Sequence, residues 1–287
     1  MRLDKERLES AVRGDAQSPN EGQAKLPGAA APDGNRLLAS VSRHDLDRLA
    51  PDLEEVTLLR GQVLFEPGRI PSHVHFPHAG TMVSLVMPLL EGGAAETVTV
   101  GLEGAAGLGV DAADPTVEAF TRGLVQMPGK ADRVLTPLLA KAASASPALR
   151  RLLARQAEAA MSMALQSVAC RAAHQVRPRL ARWLLTALDR APGGDPALPL
   201  TQEFLAEMLG VRRATVGEAA LALQAGSLIR IRRGCVVVLD RAGLERAACE
   251  CHAALRRRFE RLLQDAAVVR PADPSGVAQW ACGAEER

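Results

Sequence analysis

The chain has 287 residues, 47% of them hydrophobic, so it can bury a core in each of two ordinary domains. Its five cysteines are an odd, scattered set, which excludes the disulfide framework of a small secreted domain and predicts reduced thiols. No run approaches the roughly 20 apolar residues of a membrane span, and the charged N-terminus lacks a signal peptide's apolar stretch. We therefore expect a globular, cytoplasmic protein that does not contact a membrane.

The formal net charge of +2 conceals an uneven distribution along the chain. Residues 175–262 contain 15 arginines, no lysine and nine acidic residues, a surplus of six positive charges. Such an asymmetry is expected of a segment that binds a polyanion. The C-terminal part is therefore the candidate for nucleic-acid binding.

The first half of the chain reads as a flexible arm followed by short strands. Residues 1–34 are rich in Pro, Gly, Ala and charge without a sustained apolar period, which predicts an arm outside the core. Ser42 can then cap a short helix, HDLDRLA. Four strand-like runs separated by Gly or Pro turns follow: EEVTLLRGQVLFEPG, FPHAGTMVSLVMPLL, AAETVTVGLEG and GLVQMPGKADRVL. Regularly spaced strands of this kind predict a sandwich or jelly-roll barrel over residues 35–145.

A single long helix is predicted over residues 146–174. Ser146 is a suitable N-cap with Pro147 behind it, and about seven turns of strong helix formers follow without Gly or Pro. Small or flexible side chains form a stripe that would let a second helix approach closely: Leu149, Leu152, Leu153, Gln156, Ala160, Met163 and Ser167. This stripe predicts a dimerisation face, and the alternative is a helix that packs on its own domain.

Two helices in the basic region have the proportions of a helix-turn-helix. Thr201 can cap QEFLAEML, Gly210 permits a turn, and a second helix of about twelve residues begins near Arg213. A helix N-terminus disfavours cations, so Arg212 and Arg213 are misplaced there unless an anion meets them. DNA phosphates would neutralise them, and an arginine at this end can reach guanine O6 and N7 in the major groove.

The run LIRIRRGCVVVL, which follows the second helix, predicts a β-hairpin with a basic tip, a wing. Arg230 and Arg232 would lie on one face of its first strand, with Arg233 at the turn. These arginines are expected to bind phosphates, contacts that position a protein on DNA without specifying sequence. Any two amphipathic helices joined by glycine can imitate the bare motif, so the prediction depends on the helix pair, wing and charge together.

Residues 36–262 resemble the Crp/Fnr superfamily of bacterial transcription regulators, most specifically in VACRAAH, RLARWLL, LTQEFLAEMLGVRRATV and IRRGCVVVLDRAGLERAACECH. The resemblance implies an α+β protein: an N-terminal double-stranded β-helix (jelly-roll) sensor domain, a long dimerisation helix, a winged helix-turn-helix at residues 175–263 and a flexible tail at 264–287. It implies a non-enzymatic homodimer on a palindromic operator in double-stranded DNA, contacting RNA polymerase if it is an activator.

The resemblance also implies roles for single residues. Arg213 occupies the family's principal base-reading position, and Arg212, Thr215 and Glu218 lie at neighbouring contact positions. The full set of expected DNA-binding residues is Thr201, Gln202, Arg212, Arg213, Thr215, Gly217, Glu218, Arg230, Arg232 and Arg233. Cyclic-AMP-binding members carry Glu after the arginine and a second arginine further on, where this chain has Ala214 and Glu218. We therefore expect a different target sequence.

The residues that bind an effector or cofactor in known family members are not matched in this sequence. The Gly-Glu and Arg-Ser or Arg-Thr pairs that hold a cyclic phosphate are not matched in GLEGAAGLGVDAADPTVEAF, which has no arginine before Thr116. The N-terminal cysteines of iron-sulfur members are also missing, because the first cysteine is Cys170. We expect no cyclic-AMP site, no iron-sulfur cluster and no other cofactor, and therefore a non-standard effector pocket or an effector-independent DNA-binding protein.

Two further patterns carry alternatives. His73, His75 and His78 suggest a metal-dependent cupin-like enzyme or sensor, although a cupin's glutamate is missing from Ala79-Gly80-Thr81. Cys249-Glu250-Cys251-His252 is short of a zinc knuckle, and on one helix its two thiols would point about 200° apart. We expect these cysteines and Cys170 to pack as small hydrophobes, and no metal to bind.

Overall fold

The computed structural model describes residues 34–89 and 94–264. Apart from Gly34 and Gln264, the arm and tail predicted at residues 1–34 and 264–287 lie outside these ranges. The helices are α1 (Arg36–Ala39), α2 (Arg43–Leu49), α3 (Thr136–Ala145), α4 (Pro147–Ala173), α5 (Val176–Leu188), α6 (Gln202–Leu209), α7 (Arg213–Ala225), α8 (Arg241–Ala247) and α9 (Cys251–Gln264). The strands are β1 (Glu54–Leu58), β2 (Val63–Phe65), β3 (His73–Pro77), β4 (Met82–Pro88), β5 (Ala94–Val100), β6 (Arg122–Met127), β7 (Gly129–Leu135), β8 (Ala197–Leu198), β9 (Ile229–Arg232) and β10 (Cys235–Val238).

Strands β1 to β7 form two antiparallel sheets, in the orders β1-β7-β3 and β2-β6-β4-β5. The apolar residues of alternating positions face inward, and Phe76, Val83 and Val125 are almost fully buried. The four strand-like runs of the sequence therefore supply six of the seven strands of this β-sandwich, whereas β3 begins at His73, before the second run. The predicted α+β class with an N-terminal β-rich domain is confirmed.

The helices flanking the β-sandwich begin at polar caps. The Ser42 side chain accepts a hydrogen bond from the backbone N–H of Asp45 at 3.1 Å, so the predicted cap is present. The Asp45 carboxylate also accepts from the hydroxyl of Ser146 at 2.9 Å, which ties α2 to the start of α4. Helix α3, which precedes α4 directly, was missed because its sequence, TPLLAKAASA, follows a strand without a polar cap.

Helix α4 runs for 27 residues from Pro147, and Ser146 caps it by accepting from the backbone N–H of Leu149. The elements that pack beside α4 cover the stripe predicted as its dimerisation face, so that prediction is revised. Five side chains of that stripe are buried within the chain itself: Leu149, Leu152, Leu153, Gln156 and Met163. The other two, Ala160 and Ser167, are half-buried. A face already covered by its own sandwich and helices is not available to a partner, so the alternative of own-domain packing describes this stripe.

The C-terminal domain packs on the β-sandwich through a shared core. Helices α5 to α8 surround the three-stranded sheet β8-β10-β9, with Trp183 and Leu184 of α5 fully buried. Met82 and Met127 of the sandwich belong to the same apolar cluster as these residues. In the described residues no helix is long and apolar enough to cross a membrane.

Candidate nucleic-acid interface

Helices α6 and α7 form the predicted helix-turn-helix. Thr201 caps α6 by accepting from the backbone N–H of Phe204 at 3.2 Å, and α6 has eight residues. Gly210 ends α6 in the left-handed region with φ 63°, a conformation that glycine adopts without steric cost. Helix α7 then begins at Arg213 and buries Val216 on its inner face. The outer face at the N-terminal end of α7 is therefore free to meet a flat surface.

The predicted DNA-reading residues of α7 lie together at that end. Arg212, Arg213 and Glu218 are exposed, while Thr215 and Gly217 are partly covered. Thr201 and Gln202, at the start of α6, are also partly covered, and a Cβ at Gly217 would come 3.7 Å from the Gln202 side chain. Arg212 is the N-cap residue, and its guanidinium, which can only donate hydrogen bonds, is exposed and therefore accessible to an anion.

Arg213 has a partner that the sequence did not reveal. Its Nη1 lies 2.6 Å from Oε1 of Glu203 on α6, and both side chains are about two-thirds exposed, at 65% and 63%. A pair this exposed contributes at most about 1 kcal/mol and opens readily. Glu203 therefore neutralises the charge of Arg213 in the free protein, and the pair is weak enough for Arg213 to exchange it for another partner. Sequence spacing could not identify this contact, because the two residues belong to different helices.

Two arginines hold the C-terminal end of α6. Arg171 of α4 donates to the carbonyl oxygen of Met208 at 3.2 Å, and Arg179 of α5 donates to that of Leu209. Unsatisfied carbonyls and partial negative charge make a helix C-terminus a favourable site for cations. Arg171 also donates to the backbone oxygen of Glu96 on β5 at 2.6 Å. The helix-turn-helix is thus tied to α4, α5 and the β-sandwich.

Strands β9 and β10 form the predicted wing. Arg232 pairs with Cys235 across a two-residue turn of Arg233 and Gly234, and Gly234 has φ 70°. Arg230, Arg232 and Arg233 are all exposed. The side-chain oxygen of Gln224 accepts from the backbone N–H of Ile231 at 2.8 Å, which fixes the wing against the end of α7.

Glu96 is a buried carboxylate at the boundary between the β-sandwich and the C-terminal domain. Its Oε1 accepts from Ser84 at 2.5 Å, Thr99 at 2.6 Å and Gln126 at 2.9 Å, while its Oε2 accepts from Nε1 of Trp183 at 2.9 Å. Charge-assisted hydrogen bonds of this kind are the stronger ones, and here one joins the two halves of the molecule. Because Trp183 lies on α5, this bond ties the C-terminal domain to β5.

Residues 101–121, the segment in which the resemblance would place a cyclic-phosphate site, make several contacts within the chain. Arg190 of the loop after α5 pairs with the buried carboxylate of Glu103. A side chain at Gly104 would meet Gln156 of α4 at 2.5 Å, and Asn35 donates to the Gly104 carbonyl. No arginine or lysine lies in this segment. Arg122, the first one after it, pairs with Glu66 at 2.8 Å.

A cavity of about 300 Å³ lies between the β-sandwich, α4, α5, α6 and α9. Its lining is rich in charge and includes Arg171, Arg179, Arg182, Arg190, Glu96 and Asp189. A cavity of this size can accept a small molecule, and this one adjoins the residues that hold α6.

The three histidines His73 and His75, on β3, and His78, just after it, do not converge. His73 hydrogen-bonds Ser72, His78 hydrogen-bonds the buried Asp132 at 3.0 Å, and the rings of His73 and His75 are 6.1 Å apart. Burial first, and then the charges of His73 and Arg133, lower the pKa of His75 to about 4. The arrangement gives no support to the cupin-like alternative, because three suitable ligands do not meet at these histidines.

Metal-ligating side chains do converge elsewhere. Within residues 34–89 and 94–264, the one group of three or more such side chains that could hold an ion is Cys170, His174, Cys249 and Cys251. A hydrogen bond from the Cys249 thiol lowers the pKa of Cys170. The expectation of one helix through Cys249 and Cys251 is corrected, because α8 ends at Ala247 and α9 begins at Cys251. A turn between two helices lets both thiols face the same point.

Comparison with known proteins agrees with this geometry. Residues 178–247 match the Crp-like helix-turn-helix domain family. The chain as a whole shares its fold with solved regulators of the Crp/Fnr family. No curated protein sequence matches the chain.

Similar solved structures cover almost their whole length. FixK2 from Bradyrhizobium japonicum has a TM-score of 0.58 and 16% identity, over 69% of this chain and 98% of that one. A Crp/Fnr-family regulator from Thermus thermophilus has a TM-score of 0.52 and 22% identity, over 68% and 98%. The c-di-GMP-responsive regulator CLP from Xanthomonas campestris has a TM-score of 0.52 and 18% identity, over 69% and 99%. At these identities the likeness concerns the fold alone.

Proposed function

We propose that the chain is a Crp/Fnr-type transcription regulator, a homodimer that reads an inverted-repeat operator through the N-terminal end of α7. The observation that carries the proposal is the exposed Arg212-Arg213 pair at the front of α7, beside an exposed basic wing. Two such helices related by a dyad enter successive major grooves about 34 Å apart. The operator therefore has the same symmetry as the dimer.

The residues divide into base-reading and phosphate-binding groups. Arg213 leaves Glu203 and donates two hydrogen bonds to a guanine, while Thr215 and Glu218 contact neighbouring bases. Gly217 has no side chain and so lets DNA approach the outer face of α7 closely. Gln202 lies beside it at the protein surface. Arg212, Thr201 and the wing arginines Arg230, Arg232 and Arg233 bind phosphates.

The dimer face we propose is the exposed side of α4. Met161, Leu165 and Val168 are exposed at 62%, 67% and 67%, a large apolar area for a monomer. With Ala154, Glu158 and Ala172 they follow spacings of four and three residues, the repeat of a coiled-coil seam. This face replaces the stripe expected from sequence, since that stripe packs on its own chain.

The effector we propose is not a cyclic nucleotide of the usual kind. Residues 101–121 offer no cation for a cyclic phosphate, and Glu103 is paired with Arg190. A ligand in the interdomain cavity would instead contact Arg171 and Arg179, which hold the C-terminal end of α6. This geometry supports an effector-responsive regulator over a constitutive one.

The experiment compares two arginine variants on specific and random DNA by fluorescence anisotropy over a range of salt. Arg213→Ala should cost about 1 to 3 kcal/mol on the operator and relax one base preference, because it removes a bidentate base contact. The matched variant Arg233→Ala should weaken both DNAs alike and lower the salt slope by about one. Cyclic AMP should change neither affinity. Equal losses of specific and random binding in Arg213→Ala would contradict the base-reading role.

A further inference from the structure

Four side chains that the DNA-binding function does not use meet at the hinge after α4. Cys170 and His174 are four residues apart, so they lie on one face at the last turn of α4 and its C-cap. Cys249 and Cys251 come from the turn between α8 and α9. The ligand atoms of all four lie within 4.8 Å of one another, and the three cysteines are buried.

We propose that these four side chains bind a single tetrahedral divalent ion of the zinc type. Zinc–sulfur bonds of about 2.3 Å and a zinc–nitrogen bond of about 2.0 Å place neighbouring ligand atoms about 3.5 to 3.8 Å apart in a tetrahedron. The Sγ atoms of Cys170 and Cys249 are 3.6 Å apart, and the Sγ of Cys251 is 3.8 Å from Nδ1 of His174. Two of the six edges of such a site are therefore already close to tetrahedral length, and no two ligand atoms are more than 4.8 Å apart.

The surrounding residues match the outer shell of a metal site. A ligating histidine typically donates its second ring nitrogen to a carboxylate, which fixes the ring's orientation and tautomer. Nε2 of His174 lies 3.2 Å from Oε2 of Glu250, on the side of the ring away from the thiols. The Gln166 side chain donates to Sγ of Cys251 at 3.1 Å, as expected of a donor supporting a thiolate. Both contacts orient ligands, and neither is needed for apolar packing of cysteines.

The spacing and ligand types select the class of ion. Polynuclear iron-sulfur clusters spread their four ligands over two or more irons, so ligands on different irons lie farther apart than the 4.8 Å that spans this group. Three thiolates and one imidazole form a soft, closed donor set of the kind that structural zinc sites use. Calcium and magnesium prefer oxygen ligands, which this cluster does not provide.

The ion would link α4 to the C-terminal domain at the junction between the two halves of the molecule. His174 ends α4, and α5 of the DNA-binding domain begins two residues later. The backbone N–H of Cys249 contacts the carbonyl oxygen of Pro178 in α5, at 3.4 Å. An ion held by α4 and by the α8–α9 turn therefore fixes the hinge about which the DNA-binding domain would turn. Because metal binding contributes to folding free energy, the ion also stabilises this junction.

The test measures metal in the full-length protein purified anaerobically with its thiols reduced. We expect about one zinc per chain by elemental analysis, and cobalt substitution should give the visible bands and thiolate charge transfer of tetrahedral thiolate coordination. Cys251→Ser and His174→Ala should lose the zinc, and Glu250→Gln should weaken zinc binding about ten- to hundredfold. The matched control is His252→Gln, because His252 is next to Cys251 but contacts Asp189 at 2.8 Å.

Several outcomes would overturn the site. They are wild-type protein that binds neither zinc nor cobalt, zinc retained by both Cys251→Ser and His174→Ala, and stoichiometric iron with acid-labile sulfide. A disulfide between Cys170 and Cys249 that forms equally fast with and without added zinc would also overturn it. The cobalt spectrum is recorded on wild-type protein, so it decides the matter even if a cysteine variant fails to fold.

Discussion

Arg213 has one partner in the free protein and, in our proposal, a different partner on DNA. Its exposed pair with Glu203 spans α6 and α7 and is worth at most about 1 kcal/mol. A bidentate guanine contact discriminates by about 1 to 3 kcal/mol, so the exchange favours the complex. Arg213, a cation at the N-terminus of α7 where positive charge is disfavoured, is therefore available to DNA at little cost to the free protein.

His75 predicts a dependence of stability on pH. Its folded pKa is about 4 against an ordinary value of 6.5, so between these values the unfolded chain binds the proton more tightly. Stability should be full above pH 6.5 and fall by roughly 3 kcal/mol as the pH drops through this window. His75→Leu should remove this slope in urea unfolding measured at several pH values, and the exposed His44→Leu should keep it. Parallel profiles for wild type and His75→Leu would refute the assignment.

At the scale of elements, the exposed face of α4 predicts which substitutions separate the dimer. Leu165→Glu places a charge in the proposed seam and should give monomers, measured by sedimentation equilibrium. Leu59→Glu changes an equally exposed leucine after β1, 65% against 67%, and should leave the mass of the dimer unchanged. A dimer that persists in Leu165→Glu would place the interface on another surface.

The bond between β5 and α5 predicts a second effect at this scale. Glu96→Ala leaves the N–H of Trp183 and three other buried donors without their acceptor, so it should lower the free energy of unfolding by at least about 2 kcal/mol. Glu66→Ala, which breaks an exposed pair with Arg122, should cost less than about 1 kcal/mol. Circular dichroism in urea measures both. Equal costs would show that the buried network does not hold the domains together.

Across the whole molecule, local sequence patterns predicted most helices, strands and turns, whereas tertiary contacts determined which side of each helix is buried. Strand runs, caps at Ser42, Ser146 and Thr201, and the glycine turn at Gly210 depend on neighbouring residues, so the sequence sufficed for them. The covered face of α4 depends on what packs beside it, and helical spacing alone does not contain that information. For the same reason the meeting of Cys170 with Cys249, 79 residues away, had no local signal.

The most direct test is selection of bound sequences from random double-stranded DNA by the full-length protein. The account predicts an inverted repeat whose half-sites are centred about 10 base pairs apart, one helical turn, or a multiple of this. In the same selection, Arg213→Ala should lose the preference at one base pair of each half-site while keeping the symmetry. Enrichment of a single unrepeated motif, or no enrichment by the wild-type protein, would contradict a dimeric regulator that reads its operator through α7.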